Sequence, residues 1–322
     1  MVLIDQRSMV IPSETMEPPY IPYFRTQDIR RILYDWNVPN DLYEPLKRYY
    51  NHNVNHLEIL LNLFPDKPWD WYTLSKNPNI TWDIVKNHPK IPWNVCGLSQ
   101  NPNVTWDIIQ SNKDILWDYE ALSTNPNITW DIIKSHTQIP WGFDYFSSNP
   151  NITWEIVRDN PEKPWNWYWF SRNSNVTWDI VQANPDMPWH WDSISINHNI
   201  TWEIVRDNKD KFWNWNNLSQ NPNITWEVVQ SNPDVPWSWN GLSKNINITW
   251  DIIRSNPKKQ WNWRNVCYNS NITWEIVRSN PEKPWNYDTL SQNPNITWEI
   301  IYNNQDKSWD WVQLSCNKFS RK

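Results

Sequence analysis

The chain predicts an all-α solenoid of 24-residue repeats, two short helices to each repeat. Three observations lead there. The dipeptide Thr-Trp returns every 24 residues from Thr81-Trp82 to Thr297-Trp298, ten copies without insertion or deletion. A second tryptophan keeps the same period from Trp69 to Trp309. Each repeat carries two brief apolar runs set off by Pro/Asn turns. A fixed period of this length marks an array in which every unit buries its apolar face only against its neighbours.

The stretch from Asn149 to Arg172 serves for all ten copies. Thr153 stands where a helix N-cap belongs, its hydroxyl placed to accept from a first-turn amide. Glu155 follows at the second helical position, which is acidic in every copy from Asp83 to Glu299. A carboxylate there meets the positive end of the helix dipole. Ile152 and Val157 have the spacing of a hydrophobic staple, and Lys86 or Arg158 trails Asp83 or Glu155 by three. Asn160-Pro161 ends the helix, asparagine being tolerant of a left-handed cap and proline unable to continue the turn. The second arm is read from Pro164-Trp165 through Trp167 to Phe170, too short to separate α from 3₁₀ geometry. A strand over Trp165-Asn166-Trp167 is the weaker alternative.

Leu98-Ser99-Gln100-Asn101-Pro102-Asn103 and Leu290-Ser291-Gln292-Asn293-Pro294-Asn295, each followed by Thr, an acid and paired Ile/Val, resemble the leucine-rich repeat variant. The resemblance covers residues 77 to 316 and, loosely, 53 to 76. It implies a right-handed superhelix alternating α- and 3₁₀-helices. The chain departs from the family where Trp82 and its equivalents replace a usual proline, and in its heavy use of tryptophan. The Trp- and Asn-rich texture is also similar to tandem-repeat proteins of giant DNA viruses of protists. That similarity implies a virus-encoded interaction or virion component.

Four segments follow. Residues 1–25 read as an extended Pro-rich arm. Residues 26–76 read as an N-terminal helical cap ending in a degenerate first repeat, where Glu58 replaces the first tryptophan while Trp69, Trp71 and Leu74 stay in register. Residues 77–316 are the ten regular repeats, and 317–322 a tail. If neighbouring helices pack ~8–10 Å apart, the array is a curved rod on the order of 100 Å long. Its C-terminal stacking face (Trp298, Ile300, Ile301, Trp309) has only a six-residue tail to cover it. Uncovered apolar ends find partners, so end-to-end self-association through this repeat is expected, with Tyr302 in the contact.

Composition excludes several chemistries. A formal charge of −6, with acids at every helix start, argues against nucleic acid as partner. No run reaches the ~20 apolar residues of a membrane span, and the first residues lack the pattern of a signal peptide. Cys96, Cys267 and Cys316 fall in different repeats at different positions, which fits no disulfide framework and suggests an intracellular, reducing compartment. Host cytoplasm or virion is the form this takes if the chain is viral. With no cysteine before Cys96, an iron–sulfur domain found beside this repeat type has no ligands here. Gly97, Gly142 and Gly241 lie too far apart to write a phosphate loop. The ten helix-start acids repeat identically, whereas catalytic carboxylates need two different environments. His52 and His56 are four apart without a third metal ligand, and His88 and His136 occupy turn slots held elsewhere by asparagine. Each Asn-Ile-Thr is formally a glycan acceptor, but both its Asn and its Thr have structural posts. No catalytic residue, metal ligand or cofactor is assigned.

The expectation is a non-enzymatic scaffold that binds another protein. The rival class is a carbohydrate-binding module using exposed tryptophan edges, weighed against aromatic ladders that form the core. Positions the repeat does not need for packing are where an array writes its specificity. The freest are the two after the third aromatic, which gives Tyr168, Trp169, Asp192, Asn216 and Arg264 as candidate partner-binding residues, with Tyr302 at the C-terminal end.

Overall fold

The computed structural model describes residues 55–319. Among the described residues every regular element is a helix and none is a strand, twenty-two helices forming eleven pairs. The readings made for residues 1–54 and for the tail beyond 319 lie outside the described residues. Residues 55–76 supply the first pair, His56–Leu63 and Trp71–Lys76.

The first helix of a regular repeat runs over six residues, as in Trp250–Ser255, behind its threonine N-cap. The Thr249 hydroxyl accepts from the Ile252 amide at 3.4 Å, and six other copies do the same. Thr153, Thr201 and Thr297 hold the cap position without this bond, which corrects the expectation for Thr153. Its hydroxyl turns to the Glu155 carboxylate, a stronger acceptor, and holds that carboxyl below the usual range. The helix end also differs from expectation. Asn160 has φ of −133°, not a left-handed value, and its Nδ2 donates to Ile156 O at 2.8 Å. Asparagine is there for its amide. His136 reaches Ile132 O at 2.9 Å from the same slot.

The second helix begins two residues later than proposed, at Trp167 rather than Trp165, because Asn166 is its N-cap and accepts from the Trp169 amide at 3.2 Å. Trp165 stays in the turn before it. These helices have four to six residues, too few to persist alone. Packing between repeats supplies what they lack. Phe146, Phe170, Ile194, Ile152 and Ile200 are fully buried. The first-helix tryptophan packs at a tilt against the second tryptophan of the next repeat, Trp154 against Trp189 at 5.9 Å and Trp202 against Trp237 at 5.4 Å. The third aromatic meets the same ring edge-on, as Trp191 meets Trp213. Such pairs add ~0.5–1.5 kcal/mol each beyond area burial.

A row of buried asparagines ties each repeat to the one before it. Asn101 Nδ2 donates to Ser75 O, Asn77 O and Ile80 O, which lie 26, 24 and 21 residues back. Asn125, Asn149, Asn197 and Asn245 repeat all three bonds. Alongside, the Ser99 hydroxyl accepts from the Asp118 amide 19 residues on. The glycan-acceptor asparagines are also engaged, Asn103 Nδ2 donating to Pro78 O at 2.8 Å.

The same bonds close the array on itself. Asn77 Nδ2 donates to Ser315 O and Asn317 O, both at 2.9 Å, as if the last repeat preceded the first. The Ser315 hydroxyl accepts from the Asp70 amide at 3.1 Å, and Asn79 Nδ2 donates to Lys318 O. Lys67 lies over the Trp311 ring as Lys163 lies over Phe143 and Lys259 over Trp239. Residues 55–319 are therefore a closed ring of eleven repeats in unbroken register. This corrects the expected open rod. It also removes the ground given for end-to-end association: the stacking face of the last repeat is covered by the chain's own first repeat.

The closing junction is less regular than the others. Phe64 occupies a slot usually held by asparagine and packs against Trp311 at 5.0 Å and Tyr302 at 6.5 Å. Trp298 lies beside Tyr302, and a cavity of about 150 Å³ opens among Phe64, Ile301, Trp309 and Trp311. His56 packs at a tilt against Phe319, the one described non-glycine residue of positive φ (43°). The His56 Nδ1 is buried without a hydrogen-bond partner, and burial pulls its pKa down against the opposing charge of Glu299.

Two outcomes are expected. Asn197→Ala removes an amide shared by three buried carbonyls; Val176 O keeps the Asn199 amide and Asn173 O keeps the Val176 N–H, while Ser171 O loses its side-chain donor, a loss that costs ~1–3 kcal/mol. Urea unfolding will show a loss of about 1–3 kcal/mol; an unchanged midpoint would remove the asparagine row as a source of stability. His56 is held neutral, so the unfolded chain binds more protons in the window below the ordinary histidine value of 6.5. Stability therefore falls as pH drops from about 6.5 towards 5, and His56→Phe flattens that slope in melting curves recorded across the window.

Candidate functional site

The backbones of successive second helices approach one another most closely. In a closed ring the layer with nearer neighbours lies at the smaller radius, so these helices line the inner circumference. Their positions divide by task. The fourth and fifth are buried, as with Leu218 and Ser219. The third faces the preceding repeat: a Cβ on Gly241 would sit 2.5 Å from Asn216 O and 2.7 Å from the Ser219 Cβ. A Cβ on Gly97 would crowd Tyr72 O and Ser75 in the same way. Small residues therefore hold this position at tight junctions, Ala121 and Ser193 among them.

The second position is exposed or half-exposed around the ring, and in four repeats it binds the N-cap side chain of the following repeat. Asn166 Nδ2 donates to Asp144 Oδ1 at 2.6 Å, and Asn214 Nδ2 to Asp192 Oδ1 at 2.8 Å. Ser238 Oγ donates to Asn216 Oδ1 and Asn262 Nδ2 to Asn240 Oδ1, both at 2.8 Å. At one place the polar pair gives way to an aromatic one, Tyr168 against His190 at 4.8 Å. His190 stands at an N-cap but makes no side-chain cap bond.

Trp169 follows at the third position, where its bulk has no room between backbones. It turns out to solvent, edge-on to Tyr168 at 4.9 Å. Trp169 is 39% exposed and Tyr168 42%, and no other tryptophan among the described residues is classed as exposed. The periodic second tryptophans donate Nε1–H to a carbonyl five residues back, as Trp189 does to Asn184 O. The Trp169 Nε1–H makes no such bond.

Of the sequence-derived candidates, the structure brings Tyr168, Trp169 and Asp192 together on adjacent repeats of one surface. Asn216 lies one repeat beyond Asp192 in the same row, and Arg264 two beyond Asn216. Tyr302 is not with them; it sits on a first helix at the closing junction, beside Trp298 and Phe64. Sequence reasoning missed Tyr145, 47% exposed at the third position one repeat before Trp169. It also missed Asp144 and His190. The signal was present: His190 stands where other repeats place Asn, Asp, Ser or, once, Gly.

Four of the ten helix-start acids pair with a cation one turn on, Asp83 with Lys86 at 2.8 Å and Asp251 with Arg254 at 2.9 Å among them. No group of three side chains suited to a metal ion occurs among the described residues, and none of their helices is long and apolar enough to cross a membrane. Comparisons with protein-family models, curated proteins and solved structures return no match.

The crowded third position gives a direct expectation. Gly241→Ala forces two backbones apart and should destabilise by ~1–3 kcal/mol in thermal or urea unfolding. Stability equal to the parent would mean the junction yields freely there.

Proposed function

We propose that this chain is a non-enzymatic ring scaffold that binds another protein on its inner circumference, with Trp169 and Tyr168 as the anchor. The supporting observation is the exposed aromatic pair. Most other repeats fill these positions with polar or small residues, and where Tyr72, Tyr145 or Val312 stands there it is exposed as well, so the fold's own packing does not require a large apolar side chain at either position. Exposed Trp and Tyr beside satisfied polar neighbours have the composition of interface hot spots. The ring has a suitable opening. Eleven helices ~8–10 Å apart set their axes on a circle roughly 30 Å across, and their own thickness leaves a passage of roughly 20 Å. An extended segment or a single helix fits that width.

The test is capture by the full chain from its native cell lysate, comparing parent with Trp169→Ala. The expected result is at least a tenfold loss of the captured protein, about 1.4 kcal/mol or more, with the melting temperature nearly unchanged. A fall in melting temperature with capture intact would assign Trp169 to packing and overturn the reading.

A further inference from the structure

The charges around the aromatic pair point to the chemistry of the partner, an inference that rests on the binding role just proposed. In ring order the second position reads Glu120, Asp144, Tyr168, Asp192, with all four side chains exposed. Four of the ten helix-start acids are neutralised by a cation one turn on, Asp83, Asp131, Asp251 and Glu275. Among the described residues, Glu120, Asp144 and Asp192 have no ion-pair partner within 4 Å. Asp144 and Asp192 are nonetheless held in place, each through Oδ1 by the N-cap asparagine of the next repeat, which leaves Oδ2 open. Arg172, at the C-cap of the Tyr168 helix, pairs with neither. Two oriented carboxylates without counter-charge thus flank an exposed aromatic pair whose indole N–H is unused.

Aromatic faces attract cations, and guanidinium stacks on them while its fork meets a carboxylate. Neighbouring second helices lie ~8–10 Å apart, and an extended chain advances ~3.3 Å per residue, so successive row positions match side chains about three residues apart. We propose that the arc from Asp144 to Asp192 receives an extended basic segment of a partner protein. One arginine or lysine seats on Tyr168 and Trp169, and flanking cations about three residues to either side meet Asp144 and Asp192.

The experiment titrates the full chain into a fluorescein-labelled peptide of about twelve residues carrying arginine at every third position, read by anisotropy. The controls carry glutamate or glutamine at those positions. Binding of the arginine peptide alone, weakening as salt rises, is expected. Trp169→Ala, and separately Asp144→Asn with Asp192→Asn, should each weaken it about tenfold. The asparagines keep the Oδ1 contacts, so the melting temperature of the double variant should match the parent. Equal binding of the glutamate or glutamine peptide, no binding of the arginine peptide, or no effect of the double variant, overturns the basic partner. If Trp169→Ala still abolishes lysate capture, the anchor stands and only the partner's charge was misassigned. Quenching of fluorescence by chitohexaose in the parent but not in Trp169→Ala, with no peptide bound, would overturn both readings in favour of a glycan.

Discussion

One side-chain amide, the buried asparagine that opens each repeat, sets the distance and angle between neighbours. Asn101 holds three carbonyls of the repeat before it, and those carbonyls belong to the end of one helix and the turn into the next. Short helices leave many backbone acceptors unfilled at their ends. Here the polar groups that a stack of six-residue helices would otherwise strand in its interior are filled by the next copy of the same residue. Hydrophobic contact is non-directional and would permit a range of angles between repeats. Three hydrogen bonds from one planar amide permit far fewer.

Because every junction keeps the amide's bonds to the carbonyls 26 and 24 positions back in the repeat register, every junction turns the chain by nearly the same amount, and the ring follows from repetition. The closing junction supports this account. Asn77 finds Ser315 and Asn317 at the distances seen elsewhere, although the apolar contacts around it differ. Phe64 displaces the regular aromatic stacking, a cavity remains, and His56 keeps an unfilled nitrogen. The polar register survives where the packing is imperfect, which identifies the amide row as the stricter of the two constraints.

Much of this was legible in the sequence. The 24-residue period, the two helices and the acidic helix starts follow from patterns that act within one repeat. What was misread concerned partners one repeat away. Asn77, Asn101 and their equivalents looked like punctuation because Asn-Pro is a turn signal; nothing local reveals three carbonyls in the preceding repeat. Asn166 was passed over as an N-cap because proline and tryptophan ahead of it suggested an earlier start. Closure itself was hidden, since it depends on the turn accumulated over eleven junctions. The Tyr168-Trp169 pair was visible as a departure from the pattern, but its setting was not. That setting needed the third position to be recognised as the place where backbones touch.

Closure also changes what the number of repeats means. In an open array a 24-residue unit can be duplicated or lost at little cost, because each new interface resembles the old ones. Here each junction turns by about 33°, and ten or twelve units would have to share a different angle among all their amide contacts to meet again. Copy number is thereby locked by geometry. Unequal recombination between near-identical repeats, the ordinary hazard of such genes, would yield chains whose individual repeats fold as before but whose ends miss each other.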